Sequence, residues 1–447
     1  MPSAKKNYAG RKRKLKEEGK DVQKKTAKKD DVVISPTKSG RILTIGQGDV
    51  GQLGLSEDVM ERKRPAPIKE VDGVNFVQVT CGGMHSVAVT RNGEVYTWGC
   101  NDDGALGRLT TGDDGEEYLP RKVSLPENVE VVLASAGDSH TAVLSNKGEV
   151  YAWGAYRDAS GQIGLTAASL GKKNEMRKIY PKDDVDNVDP AVKIVSGNDH
   201  TVILTSSGNI YTNGAGEQGQ LGRIKECFGH RGGRRGLEFI LEPKIVRFRK
   251  KVKFSDIFAG SFSTFATCRD TRDVYAWGLN NYGQLGSGTT DNYFNPEIIK
   301  PLSEIRAEAS SYLAIHGGQH HSILVDGKGT VYTFGRAEYG RLGLGEDAKE
   351  TPVPKKVVSL ANENVVSVAC GEAVSFAITE KGHVYSWGLG TSLQLGVGEE
   401  EDIFVPTQIK SKNVNPDEHE VLCVAAGGQH TTLLVRDRTT ISDGHES

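Results

Sequence analysis

The stretch CGGMHSVAVTRNGEVYTWGCNDDGALG, Cys81–Gly107, contains the two motifs from which most of this 447-residue chain is built. Its Gly-x-x-His motif recurs in five intact and two degenerate copies: Gly82–His85, Gly137–His140, Gly197–His200, Gly317–His320 and Gly427–His430, with Gly260–Ser263 and Gly371–Val374. Its Tyr-x-Trp-Gly motif recurs with substitutions and ends at Gly46, Gly99, Gly154, Gly214, Gly278, Gly335 and Gly388. Seven copies of each motif predict a repeat protein.

The residues between the two motifs predict a β-hairpin. The alternating segment Val87–Val89 is followed by an Asn92-Gly93 turn and then by Val95–Trp98, which is the pattern of two strands joined by a tight turn. Further extended segments before and after this hairpin give about four strands per repeat. The glycines that end the second motif are 53, 55, 60, 64, 57 and 53 residues apart, and this period suits a four-stranded propeller blade.

The two ends of the chain complete one another. The first Tyr-x-Trp-Gly copy, Leu43–Gly46, lacks a preceding strand pair, and the last Gly-x-x-His copy, Gly427–His430, lacks the strand that should follow. A shared sheet would remove the exposed edges of an open array. We therefore predict an all-β, seven-bladed β-propeller over residues 39–437, closed by N- and C-terminal strands, with a disordered basic tail at 1–38 and a flexible end at 438–447.

The charge is divided between the tail and the body. Residues 1–40 contain 13 Lys and Arg against five Asp and Glu, whereas the rest of the chain has 43 basic and 53 acidic residues. The tail has too few apolar residues to form a core, and its basic clusters resemble a nuclear import signal, which predicts importin as a partner. The same clusters are candidates for DNA phosphate contacts, with a solvated tail as the alternative: Lys5, Lys6, Arg11, Lys12, Arg13, Lys14, Lys24 and Lys25.

Motifs of covalent chemistry, metal binding and cofactor binding are not found in the sequence. It has no phosphate loop, zinc-ligand spacing, nucleophile elbow or dinucleotide fingerprint, so we expect no metal, no cofactor and no bond-making activity. The recurrent histidines would be spread around a ring, which favours a structural role over a metal site. Six cysteines without C-x-x-C spacing and the lack of a long apolar run predict an intracellular protein with reduced thiols.

Two places break the repeat. After Gly154, six residues rather than four precede the next glycine block, which predicts a loop that projects from the ring and displays Tyr156, Arg157 and Asp158, although neutral length variation is an equal alternative. After Gly222, a long segment places three arginines among glycines, and it predicts a basic loop that binds carboxylates or phosphates, or else a solvated charge run: Arg231, Arg234 and Arg235.

These irregular segments also carry a resemblance. Together with the repeat itself, SGNDH at Ser196–His200, GEQGQLGR at Gly216–Arg223, RGGRRGLE at Arg231–Glu238 and GRAEYGRLGLGE at Gly335–Glu346 resemble the regulator of chromosome condensation family over about residues 40–437. The resemblance implies a guanine nucleotide exchange factor for the GTPase Ran that acts without covalent chemistry. It also implies binding to the nucleosome and DNA in the nucleus, with roles in nucleocytoplasmic transport and spindle assembly.

The resemblance further implies site residues. The residues facing Ran would be Asp199, Asp138, His320, Arg223, Asp49 and His85. The exchange wedge would be Ala155, Tyr156, Arg157, Asp158, Ala159, Ser160, Gly161 and Gln162. The three arginines of the long segment would contact the acidic patch of the core histones.

Three other functions were weighed against exchange. We expect the protein to be a monomer. A propeller that serves only as an interaction scaffold, without exchange activity, would leave the insertion after Gly154 unexplained. A plant ultraviolet receptor needs a cluster of ring-facing tryptophans, whereas all four tryptophans here occupy the repeat motif: Trp98, Trp153, Trp277 and Trp387. A hydrolase is disfavoured because no nucleophile and base are paired in a known spacing.

Overall fold

The computed structural model describes residues 36–110, 116–169, 175–182, 189–226, 236–248, 250–309 and 313–438. Thirty strands are found there, and in chain order they are β1 Arg41–Gln47, β2 Glu61–Pro67, β3 Phe76–Cys81, β4 His85–Thr90, β5 Val95–Gly99, β6 Arg121–Lys122, β7 Val131–Ala136, β8 His140–Ser145, β9 Val150–Gly154, β10 Tyr156–Asp158, β11 Gly161–Gly164, β12 Arg177–Tyr180, β13 Ala191–Ser196, β14 His200–Thr205, β15 Ile210–Gly214, β16 Lys244–Ile245, β17 Phe254–Ala259, β18 Ser263–Cys268, β19 Val274–Gly278, β20 Tyr293–Ile298, β21 Leu313–Gly317, β22 His321–Asp326, β23 Val331–Gly335, β24 Thr351–Lys356, β25 Val365–Cys370, β26 Val374–Thr379, β27 Val384–Gly388, β28 Ile403–Gln408, β29 His419–Ala426 and β30 His430–Asp437. The α-helices that lie wholly within these ranges are α1 Leu237–Leu241 and α2 Lys300–Glu308.

Seven four-stranded antiparallel sheets form the blades of a propeller. Blades 1, 3, 4, 5 and 6 use consecutive strands, β3–β6, β13–β16, β17–β20, β21–β24 and β25–β28, whereas blade 2 consists of β7, β8, β9 and β12. Blade 7 has the order β2-β1-β30-β29, so the first and last strands pair in one sheet. The predicted fold class and its closure are confirmed.

At five of the seven blade junctions, the histidine of the Gly-x-x-His motif joins one blade to the next through a buried hydrogen bond. In blade 3 the His200 ring is fully buried, and its Nε2 lies 3.0 Å from Thr264 Oγ1 of blade 4. The same contact recurs between His85 and Thr141, His140 and Thr201, His321 and Ser375, and His430 and Ser86. These histidines are architectural, as the sequence predicted, and the bond between blades 7 and 1 crosses the closure.

The Tyr-x-Trp-Gly motif contributes to the same junction. Thr264 donates its hydroxyl hydrogen to the Gln220 carbonyl, 3.0 Å away, and the Trp277 indole donates to that carbonyl at 2.8 Å. One loop carbonyl therefore satisfies two buried donors of the next blade, and equivalent indole bonds are made by Trp98, Trp153 and Trp387. Buried polar groups need such hydrogen-bond partners. The apolar surface of each tryptophan ring fills space between neighbouring blades.

The glycine of the first motif is required by packing against the histidine. A Cβ at Gly197 would lie 2.2 Å from Cε1 of His200, which is too close for any side chain. The fifth motif copy also needs a correction because its structural members are Gly318 and His321, one residue later than predicted. His320 instead occupies the position that precedes the buried histidine, where blade 3 has Asp199.

The outermost strands carry a feature that the sequence analysis missed. In six blades a proline precedes the residue that pairs with the centre of the Tyr-x-Trp-Gly strand: Pro65, Pro120, Pro243, Pro296, Pro354 and Pro406. Proline cannot donate to a further strand, so it protects an open edge. Blade 2 has Met176 there, but its outer strand β12 has no exposed side chain.

The centre of the ring is a cavity of about 500 Å³, lined mainly by the first strand of each blade. It contains an ion pair between Lys193 and Asp256, and the Lys193 ammonium lies 4.5 Å from the centre of the Phe258 ring. No helix in the described part of the chain is long and apolar enough to cross a membrane.

The buried histidines predict a pH-dependent stability. Burial lowers the pKa of His200 from 6.5 to about 3. Between these two pH values, unfolding is therefore accompanied by the uptake of a proton. The stability that the neutral, buried His200 contributes is fully present above pH 6.5 and is lost as the pH falls toward 3. We expect His200→Gln to lower the free energy of unfolding at neutral pH by about 1–3 kcal/mol. Urea denaturation at neutral and at mildly acidic pH measures how far acid lowers the free energy of unfolding. This decrease should be smaller in the variant than in the wild type, and equal decreases would contradict the role of His200.

Candidate protein-binding face

One end of the ring, here named the loop face, is formed by the Gly-x-x-His loops and by the loops that follow the Tyr-x-Trp-Gly strands. Neighbouring loops are tied by backbone hydrogen bonds, such as Asp138 N to Asn198 O at 2.7 Å and Asn198 N to Ser261 O at 2.9 Å. The second and third residues of each loop are therefore held at fixed places around the cavity mouth. Among them are Asp138, Asp199 and His320.

The six-residue segment after Gly154, which is two residues longer than in the other repeats, forms part of a hairpin on this face. Strands β10 and β11 pair with each other as a separate two-stranded sheet, with Arg157 opposite Gln162. The predicted wedge, Ala155–Gln162, forms most of this hairpin, and the name is kept for it below. The insertion is thus a structured element, but Tyr156 is not displayed as predicted, because its side chain is 0% exposed.

Tyr156 anchors the root of the wedge inside the junction between blades 2 and 3. The Asn213 amide donates to the Tyr156 hydroxyl at 2.9 Å, and this hydroxyl lies 2.9 Å from Thr201 Oγ1. Asn213 stands where four other blades have tryptophan. Its amide therefore takes the place of the indole N–H, and the Tyr156 hydroxyl takes the place of the loop carbonyl. The longer loop after blade 2 and the absence of a tryptophan in blade 3 are therefore linked, because each supplies one partner of this hydrogen bond.

Three carboxylates hold the outer part of the wedge. Asp199 Oδ1 accepts from the Arg157 backbone N–H at 2.7 Å, and Asp103 Oδ2 accepts from Arg157 Nη1 at 2.6 Å. Glu217 Oε2 accepts from the Ala159 backbone N–H at 2.9 Å. With Asp138 nearby, this sector of the loop face is acidic, and Arg157 is the cation within it.

In the acidic sector, two carboxyl groups have raised pKa values. Burial raises the pKa of Asp199 to about 7; the Arg157 backbone N–H opposes that rise and the charge of Asp138 adds to it. Burial also raises the pKa of Asp138. A carboxylate in this state gains from a cation brought by a partner, because the ionised form then has a counter-charge.

A second sector of the face is built around His320. Its ring lies edge-on to Tyr282 with centroids 4.9 Å apart, and the Arg336 guanidinium lies 4.8 Å from the centre of the Tyr282 ring. Burial lowers the pKa of His320 to about 4, with help from the positive charges of Arg341 and Arg336. The imidazole is therefore neutral at physiological pH and half-buried, and it is available as a hydrogen-bonding group.

The remaining expected residues have different environments. Asp49 is exposed on the loop face. His85 is only 1% exposed and bonds Thr141, so a partner cannot reach it, and we leave it out of the contact set. Arg223 is partly buried and donates to the carbonyls of Thr212 and Phe239, so it braces its own chain.

Several predicted residues lie outside the described part of the chain, namely Arg231, Arg234 and Arg235 of the long segment and all eight basic residues of the tail. Within the described ranges, no group of three or more His, Cys, Asp or Glu side chains could hold a metal ion. Sequence reasoning missed Asp103, Asn213, Tyr282 and Arg336. Asn213 was detectable, because it replaces tryptophan in the second motif, but its partner Tyr156 could be identified only from the fold.

Comparison with known proteins gives the family. Residues 41–433 match the family model described as "RCC1-like domain". The chain is 47% identical over 407 residues to the Regulator of chromosome condensation of Xenopus laevis, covering 90% of this chain and 91% of that protein. It is 30% identical over 429 residues to the Guanine nucleotide exchange factor SRM1 of Saccharomyces cerevisiae, covering 86% and 85%.

A solved structure agrees with these matches. The crystal structure of Prp20p from Saccharomyces cerevisiae, described with its binding properties to Gsp1p and histones, superposes with a TM-score of 0.79 at 28% identity and covers 91% of this chain and 94% of that one. The chain therefore belongs to the regulator of chromosome condensation family.

Proposed function

We propose that this protein is a guanine nucleotide exchange factor for the small GTPase Ran. The observation that carries the proposal is the wedge, a projecting hairpin anchored at its root by Tyr156 and held on an acidic face. The family supports the choice of reaction, because the yeast relative SRM1 is named a guanine nucleotide exchange factor and Prp20p is described as binding Gsp1p.

Exchange of this kind is a binding reaction. A factor that binds nucleotide-free Ran better than nucleotide-bound Ran lowers the affinity of Ran for the nucleotide. By the same factor, the nucleotide lowers the affinity of Ran for the exchange factor. Each tenfold rise in nucleotide release needs about 1.4 kcal/mol of such coupling. The wedge would supply much of it by entering the region where Ran holds phosphate and Mg²⁺.

The acidic sector gives the second part of the mechanism. Asp138 and Asp199 cannot bind phosphate, but they attract lysine and arginine side chains that lose their phosphate partner when the nucleotide leaves. Asp199 is the best placed for this role, because burial removes water from its carboxylate and raises its pKa to about 7. A bound cation would stabilise both the ionised carboxylate and the emptied GTPase.

We also propose that the protein acts on chromatin in the nucleus. The tail is basic and the body is acidic, which suits DNA contacts through the tail and leaves the arginine segment for the acidic patch of the core histones. Prp20p is described as binding histones, and this supports the proposal. Importin would bind the same tail. The exchange activity on chromosomes would support nucleocytoplasmic transport and spindle assembly.

The wedge should be required for exchange but not for folding. Deleting Asp158–Gly161 shortens Ala155–Gln162 to four residues and keeps the buried Tyr156 in place. We expect release of labelled GDP from Ran to fall to the uncatalysed rate, with an unchanged circular dichroism spectrum and melting temperature. Normal GDP release by this folded variant would contradict the mechanism.

The charge of Asp199 should also be required. Asp199→Ala removes a partly buried carboxylate from its proposed pair with a Ran cation. Losses of about 2–5 kcal/mol are typical when one member of such a pair is truncated, so exchange should fall strongly. An effect below roughly threefold would show that Asp199 is not central. Asp199→Asn keeps an oxygen for the Arg157 N–H but has no charge. Since the pKa of Asp199 is about 7, the advantage of the wild type over this variant in kcat/KM should grow as the pH rises through neutrality.

The arginine segment and the tail should have different binding signatures. Replacing Arg231, Arg234 and Arg235 with alanine should weaken binding to nucleosomes far more than to free DNA, because the forked guanidinium contacts would be made to histone carboxylates. Deleting residues 1–30 should weaken both and flatten the salt dependence. Both variants should still release GDP from free Ran. Normal nucleosome binding by the triple variant at physiological salt would place the histone contact elsewhere.

A further inference from the structure

The wedge needs support beyond its own hairpin. Strands β10 and β11 pair with each other and, among the described residues, with no strand of a blade. A two-stranded hairpin is only marginally stable in water. The buried Tyr156 fixes the root, but the turn at Ala159 and Ser160 lies beyond it and is exposed.

Two carboxylates reach the outer wedge from opposite sides. Asp103 follows the third strand of blade 1, and Glu217 follows the third strand of blade 3, whereas the wedge follows the third strand of blade 2. Asp103 fixes the Arg157 side chain at 2.6 Å, and Glu217 fixes the Ala159 backbone N–H at 2.9 Å. The Asp103 side chain is 11% exposed and the Arg157 side chain is 44% exposed, so the ion pair is shielded from solvent on the Asp103 side.

The repeat itself does not require an acidic residue at position 103. The residues at the same place, four after the glycine, in the five other uninterrupted loops are Val50, Gln218, Tyr282, Tyr339 and Ser392. None of them is acidic, although all these loops have the same role in the propeller. The carboxylate of Asp103 therefore serves the wedge and not the general architecture.

We propose that Asp103 and Glu217 are positioning residues of the exchange reaction, which clamp the two sides of the wedge so that it stands rigidly above the loop face. This inference rests on the proposed function. A hairpin pressed against a folded GTPase transmits force only if it does not bend, and small displacements of positioning groups are costly. Asp103 pairs with the Arg157 guanidinium, whose positive charge also acts on Asp138 and Asp199.

The test uses the full-length protein with Ran and labelled GDP. Asp103→Asn and Glu217→Gln keep the size of each side chain and remove the charge, and each should lower kcat about tenfold or more, with little change in KM for Ran. The matched control Asp102→Asn, an exposed neighbour of Asp103, should behave as the wild type. Because Asp103 acts through Arg157, Asp103→Asn should cause no further loss in an Arg157→Ala background.

A second readout does not depend on exchange. Amide hydrogen exchange of Arg157–Ser160 should be faster in both variants than in the wild type, and unchanged in Asp102→Asn. If Asp103→Asn does not fold, Arg157→Ala removes the same ion pair from its exposed side and should show the same loss of kcat and the same faster amide exchange.

The outcomes separate the two levels of the proposal. If the wild-type protein does not accelerate GDP release, both the exchange function and the positioning role of Asp103 and Glu217 are overturned. An active wild type with normal kcat in Asp103→Asn and Glu217→Gln would overturn the positioning role alone. An equal loss from Asp103→Asn with and without the Arg157 side chain would also overturn it, because Asp103 would then act directly or through the fold.

Discussion

The pairing of β1 with β30 is the constraint that gives this molecule its working surface. Six consecutive residue pairs, from Arg41 with Val435 to Gly46 with His430, join the first strand of the ring to the last. The buried bond between His430 and Ser86 then links this sheet to blade 1. An open array of seven blades could bend at each junction, whereas a closed ring fixes every loop relative to its neighbours. The wedge depends on that rigidity, because it follows a strand of blade 2 and is held by groups from blades 1 and 3.

The regular part of the fold could be predicted from the sequence because each motif is a local solution to one packing problem. Gly197 and His200 must occur together, since the ring lies where a side chain on the glycine would be, and this spacing survives in most copies. The fifth loop shows the limit of such reasoning. Two adjacent histidines, His320 and His321, satisfy the motif in two registers, and only strand pairing shows that the second one is buried.

The candidate site could be predicted only in part. The extra length after Gly154 marked the wedge, but length alone did not show that Tyr156 points into the core. Its burial depends on Asn213, which lies in another blade and leaves room by not being tryptophan. Asp103 was also hidden, because its importance comes from the position of Arg157 in the folded wedge. Local motifs thus record the architecture, whereas the proposed function lies where the repeat is broken and in contacts between distant residues.

Release of labelled GDP from purified Ran, with and without catalytic amounts of the wild-type protein, tests the central claim most directly. The rigid wedge and the acidic sector around Asp199 predict release that is accelerated by several orders of magnitude, in a manner that saturates with Ran concentration. They also predict a stable complex of the protein with nucleotide-free Ran that added GDP or GTP dissociates, because the couplings are reciprocal. A protein that binds Ran but leaves the GDP release rate unchanged would contradict the account and would make this propeller a binding scaffold.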